Sequence, residues 1–380
     1  MKYLVWFSEV MGAGNIRSLK ALEYFGNAQN IYNASQSDRM SANIFTKEDL
    51  KKLASVPLSR ANQIIAECIK CGIEIISIKD KRYPTALSFI NNPPILLYVK
   101  GKFPDFNNLP SLTVVGPRTV SDYGKKAAYS LSFRLARAGF VIVSGGALGC
   151  DTYAHAGALK SGGITVLVMG CGINAEYLRK NKPLRDEVAK TGCLISEHSP
   201  RTPITKYSFP IRNRIMSALT LGTVLIEASE KSGGLITARL ANEQGRDVFV
   251  IPGEPSKAEY KGSNALLRDG ARALLDLSDI FCEYIVRFPD KINIEKAYDT
   301  KIIINKAKEE TKEKNISKKL EVTLSKEAKI VYNCIDKQKF LPEDILNTGL
   351  DSTSLLSALT ELEMEFLIKA VPGGMYELCE

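Results

Sequence analysis

Loops rich in glycine and serine follow the strand-like segments in the middle of this sequence, and most of them lead into a helix-like segment. Four of them share this composition and lie at residues 116–119, 144–151, 170–172 and 227–234. A glycine lets the backbone approach a phosphate closely, and the N–H groups at a helix start attract anions. The pattern predicts an anion site. The alternative is that the glycines are needed only for tight packing of the turns.

A cluster of basic, amide and aromatic side chains begins another helix-like segment. It reads Lys206-Tyr207-Ser208-Phe209-Pro210-Ile211-Arg212-Asn213-Arg214. Guanidinium groups bind phosphate through paired hydrogen bonds, and interleaved aromatic rings can stack on unpaired bases. The cluster indicates a nucleic-acid contact. Phe209 itself is expected at a core position, whereas Arg212 and Arg214 are expected to be functional, with solvated arginines as the alternative.

Signatures of the common nucleotide enzymes are absent or incomplete. No GxxxxGK[ST] motif occurs, and the GxGxxA match at 170–175 lacks the acidic residue expected at the end of the next strand. His155 lies one helical turn from Asp151, which allows a general base, but no Ser or Cys nucleophile elbow accompanies it, so a structural hydrogen bond is favoured. We expect no catalytic residue. Asp151 is expected to be a helix N-cap. Glu227 could be a base or a ribose contact, and it is equally suited to be a cap for a neighbouring loop.

The composition excludes several classes of protein. The chain has 380 residues, of which 45% are hydrophobic and 24% charged, which rules out wholesale disorder and fibrous proteins. No apolar run reaches the ~18 residues of a membrane span, and the N-terminus does not resemble a secretion signal. We therefore expect a cytoplasmic protein with reduced cysteines. The Cys68/Cys71 pair lacks the further ligands that a zinc site needs, so no metal is predicted.

Short apolar segments alternate with longer amphipathic ones through residues 110–285. The strand-like segments are Leu112–Val115, Phe140–Val143, Ile164–Met169, Cys193–Ser196, Thr223–Glu227 and Asp247–Ile251. The helix-like segments are Asp122–Ala138, Asp151–Ser161, Lys182–Thr191, Ile211–Leu219 and Leu235–Gln244. This alternation predicts an α/β fold with a parallel sheet buried on both faces, whose strand ends carry the loops described above.

Composition and charge divide the chain into four parts. Residues 1–72 are a helical module, 73–285 the sheet domain, 286–325 a charged linker and 326–380 a compact module of three helices and a hairpin. The whole chain has a net charge of +9, but residues 331–380 hold 3 basic and 9 acidic groups, a net charge of −6. The acidic C-terminal module therefore favours contact with protein over contact with DNA.

A series of motifs occurs in one order and resembles the DNA-processing protein A (DprA/Smf) family. The motifs are Val115-Gly116-Pro117-Arg118, 143–151 with Ala154-His155, Met169-Gly170-Cys171-Gly172, Phe209-Pro210-Ile211-Arg212-Asn213-Arg214-Ile215, 232–239, Glu243-Gln244-Gly245-Arg246, Val250-Ile251-Pro252-Gly253, Gly262-Ser263-Asn264 and Asp269-Gly270-Ala271. The resemblance covers about residues 80–275. No single motif is specific, but the ordered set is.

The resemblance implies an extended Rossmann-like sheet, an N-terminal SAM-like or helix-hairpin-helix module and a C-terminal winged-helix module. It also implies a homodimer through the Rossmann domain that binds single-stranded DNA without turnover or cofactor, protects it and helps to load the RecA recombinase in natural transformation. The implied phosphate-binding residues are Gly116, Arg118, Ser144, Gly145, Gly146, Lys206, Arg212, Asn213, Arg214, Ser232, Gly233 and Gly234. Pro117, Leu148 and Leu178 depart from the family pattern, and the first two put one phosphate contact each in doubt.

An enzyme is the alternative. The same stretch is similar to nucleotide phosphoribohydrolases of the lysine-decarboxylase-like group, which also place a glycine pair near an acidic residue. In that case Glu227 and residues 232–237 would handle a nucleoside monophosphate.

Overall fold

The computed structural model describes residues 1–205, 207–299, 325–335, 339–342, 344, 350–364, 367–371 and 375–378. Contacts within the chain divide it into two compact units, Met1–Tyr298 and Asp299–Glu380. Within the described ranges, no helix combines the length and the apolar character that crossing a membrane requires.

A nine-stranded sheet forms the centre of the first unit. Its strands are β1 Ile73–Ser77, β2 Leu96–Gly101, β3 Ser111–Val115, β4 Val141–Ser144, β5 Thr165–Met169, β6 Cys193–Ser196, β7 Gly222–Leu225, β8 Asp247–Val250 and β9 Arg272–Ala273. They lie in the order β1-β2-β6-β5-β4-β3-β7-β8-β9. The β1–β2 and β2–β6 pairs are antiparallel and the others parallel. The predicted parallel sheet is confirmed, and its strand order reverses between β3 and β7.

Helices surround the sheet. They are α1 Lys2–Met11, α2 Arg17–Phe25, α3 Ala28–Asn33, α4 Gln36–Ser41, α5 Lys47–Ser55, α6 Leu58–Lys70, α7 Thr85–Ser88, α8 Asp122–Arg137, α9 Cys150–Lys160, α10 Lys182–Thr191, α11 Ser208–Leu219, α12 Gly233–Glu243, α13 Lys261–Arg268, α14 Ser278–Tyr284 and α15 Ile294–Tyr298. Short 3₁₀ turns lie at Arg179–Asn181 and Ala258–Tyr260. The predicted segments Lys182–Thr191 and Cys193–Ser196 coincide with α10 and β6.

Both faces of the sheet are buried because neighbouring strand residues point in opposite directions. Leu112 and Val114 of β3 join a core with α8, α9 and α14. Val115 of the same strand joins a core on the other face with α11 and α12. Continuous apolar strands are what such two-sided burial requires, and this explains why the central strands do not alternate in polarity.

The N-terminal helices pack against the β2 side of the sheet. Trp6 of α1 is fully buried and donates a hydrogen bond from Nε1 to the carbonyl oxygen of Val56 at 2.8 Å. Leu96 and Tyr98 of β2 lie in the same core as these helices. Residues 1–72 are therefore helical, as the sequence indicates, and their assignment to a SAM-like module stays a prediction.

The first unit extends beyond residue 285, where the sequence suggested that the linker begins. Phe288 and Ile292 are buried, and Ala297 of α15 accepts a hydrogen bond from Arg134 Nε at 3.2 Å. These residues complete the core beneath α8, so the compact unit ends at Tyr298. Most of the predicted charged linker lies outside the described residues.

The second unit contains two described helices and a small sheet. The helices are α16 Lys326–Cys334 and α17 Ser352–Met364, and the strands are β10 Lys339–Phe340, β11 Ile368–Val371 and β12 Met375–Leu378. The strands lie in the antiparallel order β10-β12-β11. The predicted hairpin is present as β11 and β12, whereas the helix expected after Pro342 lies outside the described residues. A winged-helix module stays a prediction.

The crossing of α8 and α9 yields the first testable prediction. Gly157 of α9 lies so close to α8 that an added Cβ would overlap the carbonyl oxygen of Tyr129. We expect Gly157→Ala to lower the free energy of unfolding by about 1–3 kcal/mol, because the backbone of α8 must move. Urea denaturation followed by circular dichroism measures this.

The control is Gly233→Ala at the start of α12, where an added Cβ would meet nothing within 4 Å. Its free energy of unfolding should stay within about 0.5 kcal/mol of the original protein. Equal losses in the two variants would contradict the proposed tight crossing.

Candidate nucleic-acid interface

A cavity opens at the carboxyl ends of β3 and β7, where the strand order reverses. We call it the glycine-loop cavity, and its volume is about 300 Å³. Seven of the predicted site residues line it, namely Gly116, Arg118, Arg212, Asn213, Ser232, Gly233 and Gly234. Open α/β sheets bind their ligands in this crevice, so fold and motifs indicate the same place.

Arg118 is the exposed cation of this cavity, and it lies over an aromatic ring. Its guanidinium carbon is 4.7 Å from the ring centroid of Phe209. Tyr177 packs beside the same ring, with the two centroids 6.0 Å apart. Phe209 is half-buried rather than a full core residue. A cation and two aromatic rings therefore stand together at the edge of the cavity.

Arg212 is the buried cation of the same cavity. Only 5% of its surface is exposed, and its Nη1 donates hydrogen bonds to the carbonyl oxygen of Val168 at 2.8 Å and to Met216 Sδ at 3.1 Å. Its Nε has no hydrogen-bond partner among the described residues. Burial lowers the pKa of Arg212, and the nearby Asp151 opposes this effect. The guanidinium is thus poorly solvated and keeps unused donor capacity.

Asp151 holds the second glycine loop in place. Its Oδ2 accepts hydrogen bonds from the backbone N–H groups of Gly145 and Ala147, both at 3.2 Å. Burial raises the pKa of Asp151, whereas the neighbouring Arg212 acts to lower it. The expected N-cap role was wrong: Gly149, with φ +84°, occupies the N-cap of α9, and Asp151 lies in the first turn.

Most of the glycines make room for the protein's own atoms. A Cβ on Gly145 would overlap the guanidinium of Arg212, and a Cβ on Gly116 would lie 2.8 Å from Cys150 Sγ. At Gly146 and Gly234 it would press on leucine side chains, whereas at Gly233 it would meet open space. Tight packing, the alternative in the sequence, therefore accounts for four of the five predicted glycines, and Gly233 is the one that faces free space.

The N-terminus of α12 forms the far wall of the cavity. Ser232 caps this helix, and its Oγ accepts a hydrogen bond from the N–H of Gly234 at 3.4 Å. The positive end of the helix dipole and the first N–H groups thus face the same space as the two arginines. This arrangement favours an anion in the cavity.

Some predicted residues do not reach the cavity. Ser144 is fully buried beneath it and donates a hydrogen bond to the carbonyl oxygen of Val114 at 2.7 Å. Arg214 is buried on another side of α11 and forms an ion pair with Glu197, which also accepts a hydrogen bond from the N–H of Gly14. Arg214 therefore ties α11 to the N-terminal segment. Lys206 lies outside the described residues.

The two groups considered for catalysis already have partners. Both carboxylate oxygens of Glu227 accept hydrogen bonds from Ser121, at 2.7 Å from its N–H and at 2.6 Å from its hydroxyl. His155 is fully buried with Nδ1 2.8 Å from Thr165 Oγ1, and burial lowers its pKa to about 3. Glu227 is therefore a cap for a neighbouring loop, one of the roles that the sequence allowed.

One residue that supports the site, Asn181, was missed at the sequence level. Asn181, 5% exposed, donates from Nδ2 to the carbonyl oxygen of Gly146 at 3.1 Å and to Thr152 Oγ1 at 3.0 Å. Thr237, which the sequence analysis included in the 232–237 stretch, lines the cavity one turn into α12. Asn181 follows Leu178, which has an unusual φ of +41°, and no sequence periodicity reveals such a long-range contact.

The sheet domain matches a known protein family. The model of the family described as "DNA recombination-mediator protein A" matches residues 74–285, more than half of the chain. The chain belongs to this family.

Individual relatives agree with this assignment. The chain is 40% identical over 221 residues to DNA processing protein DprA of Bacillus subtilis. The aligned part covers 58% of this chain and 74% of the relative. The X-ray structure of DNA processing protein A from Streptococcus pneumoniae matches with a TM-score of 0.66 and 32% identity, over 74% of this chain and 98% of that one. A third match is DNA processing protein A from Helicobacter pylori, whose structure concerns its single-stranded DNA binding mode. It has a TM-score of 0.51 and 29% identity, and the match covers 57% of this chain and 96% of that one.

The Arg214–Glu197 pair of this family member gives the second prediction. Arg214→Met leaves the Glu197 carboxylate buried without its cation, so we expect the free energy of unfolding to fall by about 3–5 kcal/mol. Adding Glu197→Gln should recover part of this loss, because the amide oxygen still accepts from the N–H of Gly14 and the unpaired charge is gone. Chemical denaturation of both variants measures the effect.

A different result would reverse the assignment of Arg214. If Arg214→Met kept its stability while binding to single-stranded DNA disappeared, Arg214 would be a phosphate contact and not a structural ion pair.

Proposed function

We propose that this protein binds single-stranded DNA at the glycine-loop cavity and leaves it chemically unchanged. The observation that carries the proposal is a poorly solvated Arg212 beside an exposed Arg118, both facing the N-terminus of α12. These groups are suited to phosphates of the strand. The relative from Helicobacter pylori, described by its single-stranded DNA binding mode, supports the same ligand.

The aromatic groups at the cavity edge favour an unpaired strand over a duplex. Phe209 and Tyr177 can offer their faces to bases only when those bases are not stacked within a double helix. Stacking is available to every base, and the phosphate contacts carry no sequence information. We therefore propose binding with little sequence preference.

The contacts within the proposed site follow from the placement of its residues. The residues that line the cavity face the strand, namely Gly116, Arg118, Arg212, Asn213, Ser232, Gly233 and Gly234. Ser144, Gly145 and Gly146 shape the loop beneath, Arg214 fixes the helix, and Lys206 is a further proposed phosphate contact. The engagement of Glu227 by Ser121 supports binding without turnover, because a phosphoribohydrolase needs a free carboxylate at the ligand.

The family also supports finer proposals. We propose that the chain acts in the cytoplasm as a homodimer formed through its sheet domain, with a SAM-like N-terminal and a winged-helix C-terminal module. In this role it protects incoming DNA in natural transformation and helps to load RecA.

Faster RecA assembly on strands covered by single-strand-binding protein is the expected result, and light scattering in solution gives the mass of the dimer.

Substituting Arg118 tests the site directly. We expect Arg118→Ala to weaken binding to all single-stranded sequences alike. The slope of log K against log salt concentration is negative, and it should become less steep by about 0.7, as for one lost phosphate contact. Fluorescence anisotropy with labelled oligonucleotides over a range of salt concentrations measures both quantities.

The matched control is Arg60→Ala, which removes an arginine that pairs with Glu9 on the N-terminal helices. Its affinity and salt slope should equal those of the original protein. Unchanged binding in Arg118→Ala would show that the strand lies elsewhere.

A further inference from the structure

A second cavity lies beside the glycine-loop cavity, and the function proposed above does not use it. Its volume is about 370 Å³, and we call it the Phe89 cavity. Its walls are the chain at 86–92, the first turns of α11 and the last turns of α12. This volume falls within the range of small-ligand sites.

Within the described part of the chain, four side-chain atoms without hydrogen-bond partners belong to residues that line the Phe89 cavity. Arg214 is 4% exposed, and its Nε and Nη1 lack hydrogen-bond partners among the described residues. Gln244 Oε1 and Arg246 Nε are also buried and lack hydrogen-bond partners among the described residues. Buried donors and acceptors are almost always paired in folded proteins. These atoms lie behind the surface of the cavity, and Asn91 and Asn92 add further polar groups to its wall. A ligand with both donors and acceptors suits a wall of this composition.

The charges of the cavity are nearly balanced. Arg214 is neutralised by its ion pair with Glu197, and Glu243 lines the cavity together with Arg246. The glycine-loop cavity, by contrast, combines two arginines and a helix N-terminus with one buried aspartate. A phosphate therefore prefers the glycine-loop cavity, and the Phe89 cavity suits a neutral group that forms hydrogen bonds.

An exposed aromatic ring contributes to the Phe89 cavity. Phe89 is 81% exposed, and the apolar side chains of Pro210, Ile211 and Leu240 form other parts of the wall. An exposed phenyl ring gains free energy when a flat group stacks on it. A flat neutral group with hydrogen-bonding edges is a nucleobase.

The two cavities are close enough for one strand to occupy both. Phe209 and Pro210 are consecutive in α11, yet Phe209 lines the glycine-loop cavity and Pro210 lines the Phe89 cavity. Helix α12 likewise contributes Thr237 to the first and Leu240 to the second. The first turns of α11 therefore contribute to both cavities.

The second cavity is also held in shape by the fold. Arg246 donates from Nη2 to the carbonyl oxygen of Ala86 at 3.2 Å, and Gln244 donates from Nε2 to that of Arg214, also at 3.2 Å. A site that is already formed loses less entropy when it binds.

We propose that the Phe89 cavity receives one unpaired base of the same DNA strand whose phosphates lie in the glycine-loop cavity. This inference rests on the proposed function and adds a base contact to it. The strand crosses the first turns of α11 between the two sites.

The test pairs a protein variant with a change in the DNA. Binding is measured for oligothymidylate of about 16 nucleotides and for an abasic strand of equal length. Phe89→Ala should weaken binding to oligothymidylate at least about fivefold, the lower range of one stacked base, and leave the abasic affinity unchanged. Phe89→Trp should keep the affinity of the original protein, because it retains an aromatic face.

Tyr24→Ala is the matched control, since Tyr24 is an exposed aromatic residue on α2, at 63% exposure. Tyr24→Ala should leave the affinity for oligothymidylate and the affinity for the abasic strand unchanged. The melting temperature of Phe89→Ala should stay that of the original protein, because the ring is largely in solvent.

The outcomes separate this inference from the proposed function. If Arg118→Ala weakens binding while Phe89→Ala binds both strands normally, the base site is overturned and the proposed function stands. An equal loss on both strands would also overturn it, because Phe89 would then not contact a base. Failure of the original protein to bind either strand would overturn both.

Discussion

The burial of Arg212 is the constraint on which the glycine-loop cavity depends. A guanidinium removed from water is costly unless nearby groups stabilise it. Here Val168 accepts one hydrogen bond and Asp151 supplies the opposite charge. Gly145 has to be a glycine because the guanidinium fills the space of a side chain. Asp151 in turn fixes the N–H groups of the loop, so one buried carboxyl group influences both the cation and the backbone near it.

Helix α11 links this site to the N-terminal helices. Successive helical residues are rotated by about 100°, so Arg212 and Arg214, two positions apart, point in nearly opposite directions. Arg212 reaches the cavity, whereas Arg214 pairs with Glu197, which binds the N–H of Gly14. The N-terminal segment therefore stabilises the helix that positions Arg212 and Phe209, although it lies outside the cavity.

The sequence predicted the elements of the sheet domain well, because apolar runs and helical periodicity are local properties. It also located the loops at the strand ends, since parallel strands bring those ends together. It could not separate Arg212 from Arg214, because their different surroundings depend on β5, β6 and the segment at Gly14. For the same reason it could not predict that Gly145 and Gly116 make room for Arg212 and Cys150. Nor did composition reveal that the core continues to Ala297, which lies in a stretch rich in charged residues.

The distribution of acids and bases at the cavity supports binding over chemistry. Hydrolysis of a nucleotide needs a carboxylate or an imidazole free to take a proton from water or from the ligand. Glu227 is held by Ser121, Asp151 by the glycine loop, and His155 is buried against Thr165. The cations, in contrast, keep free donors or lie exposed. The proposed site therefore offers cations to a phosphodiester while Glu227, Asp151 and His155 are engaged with other groups, which supports the proposed binding function over that of an enzyme built on a similar sheet.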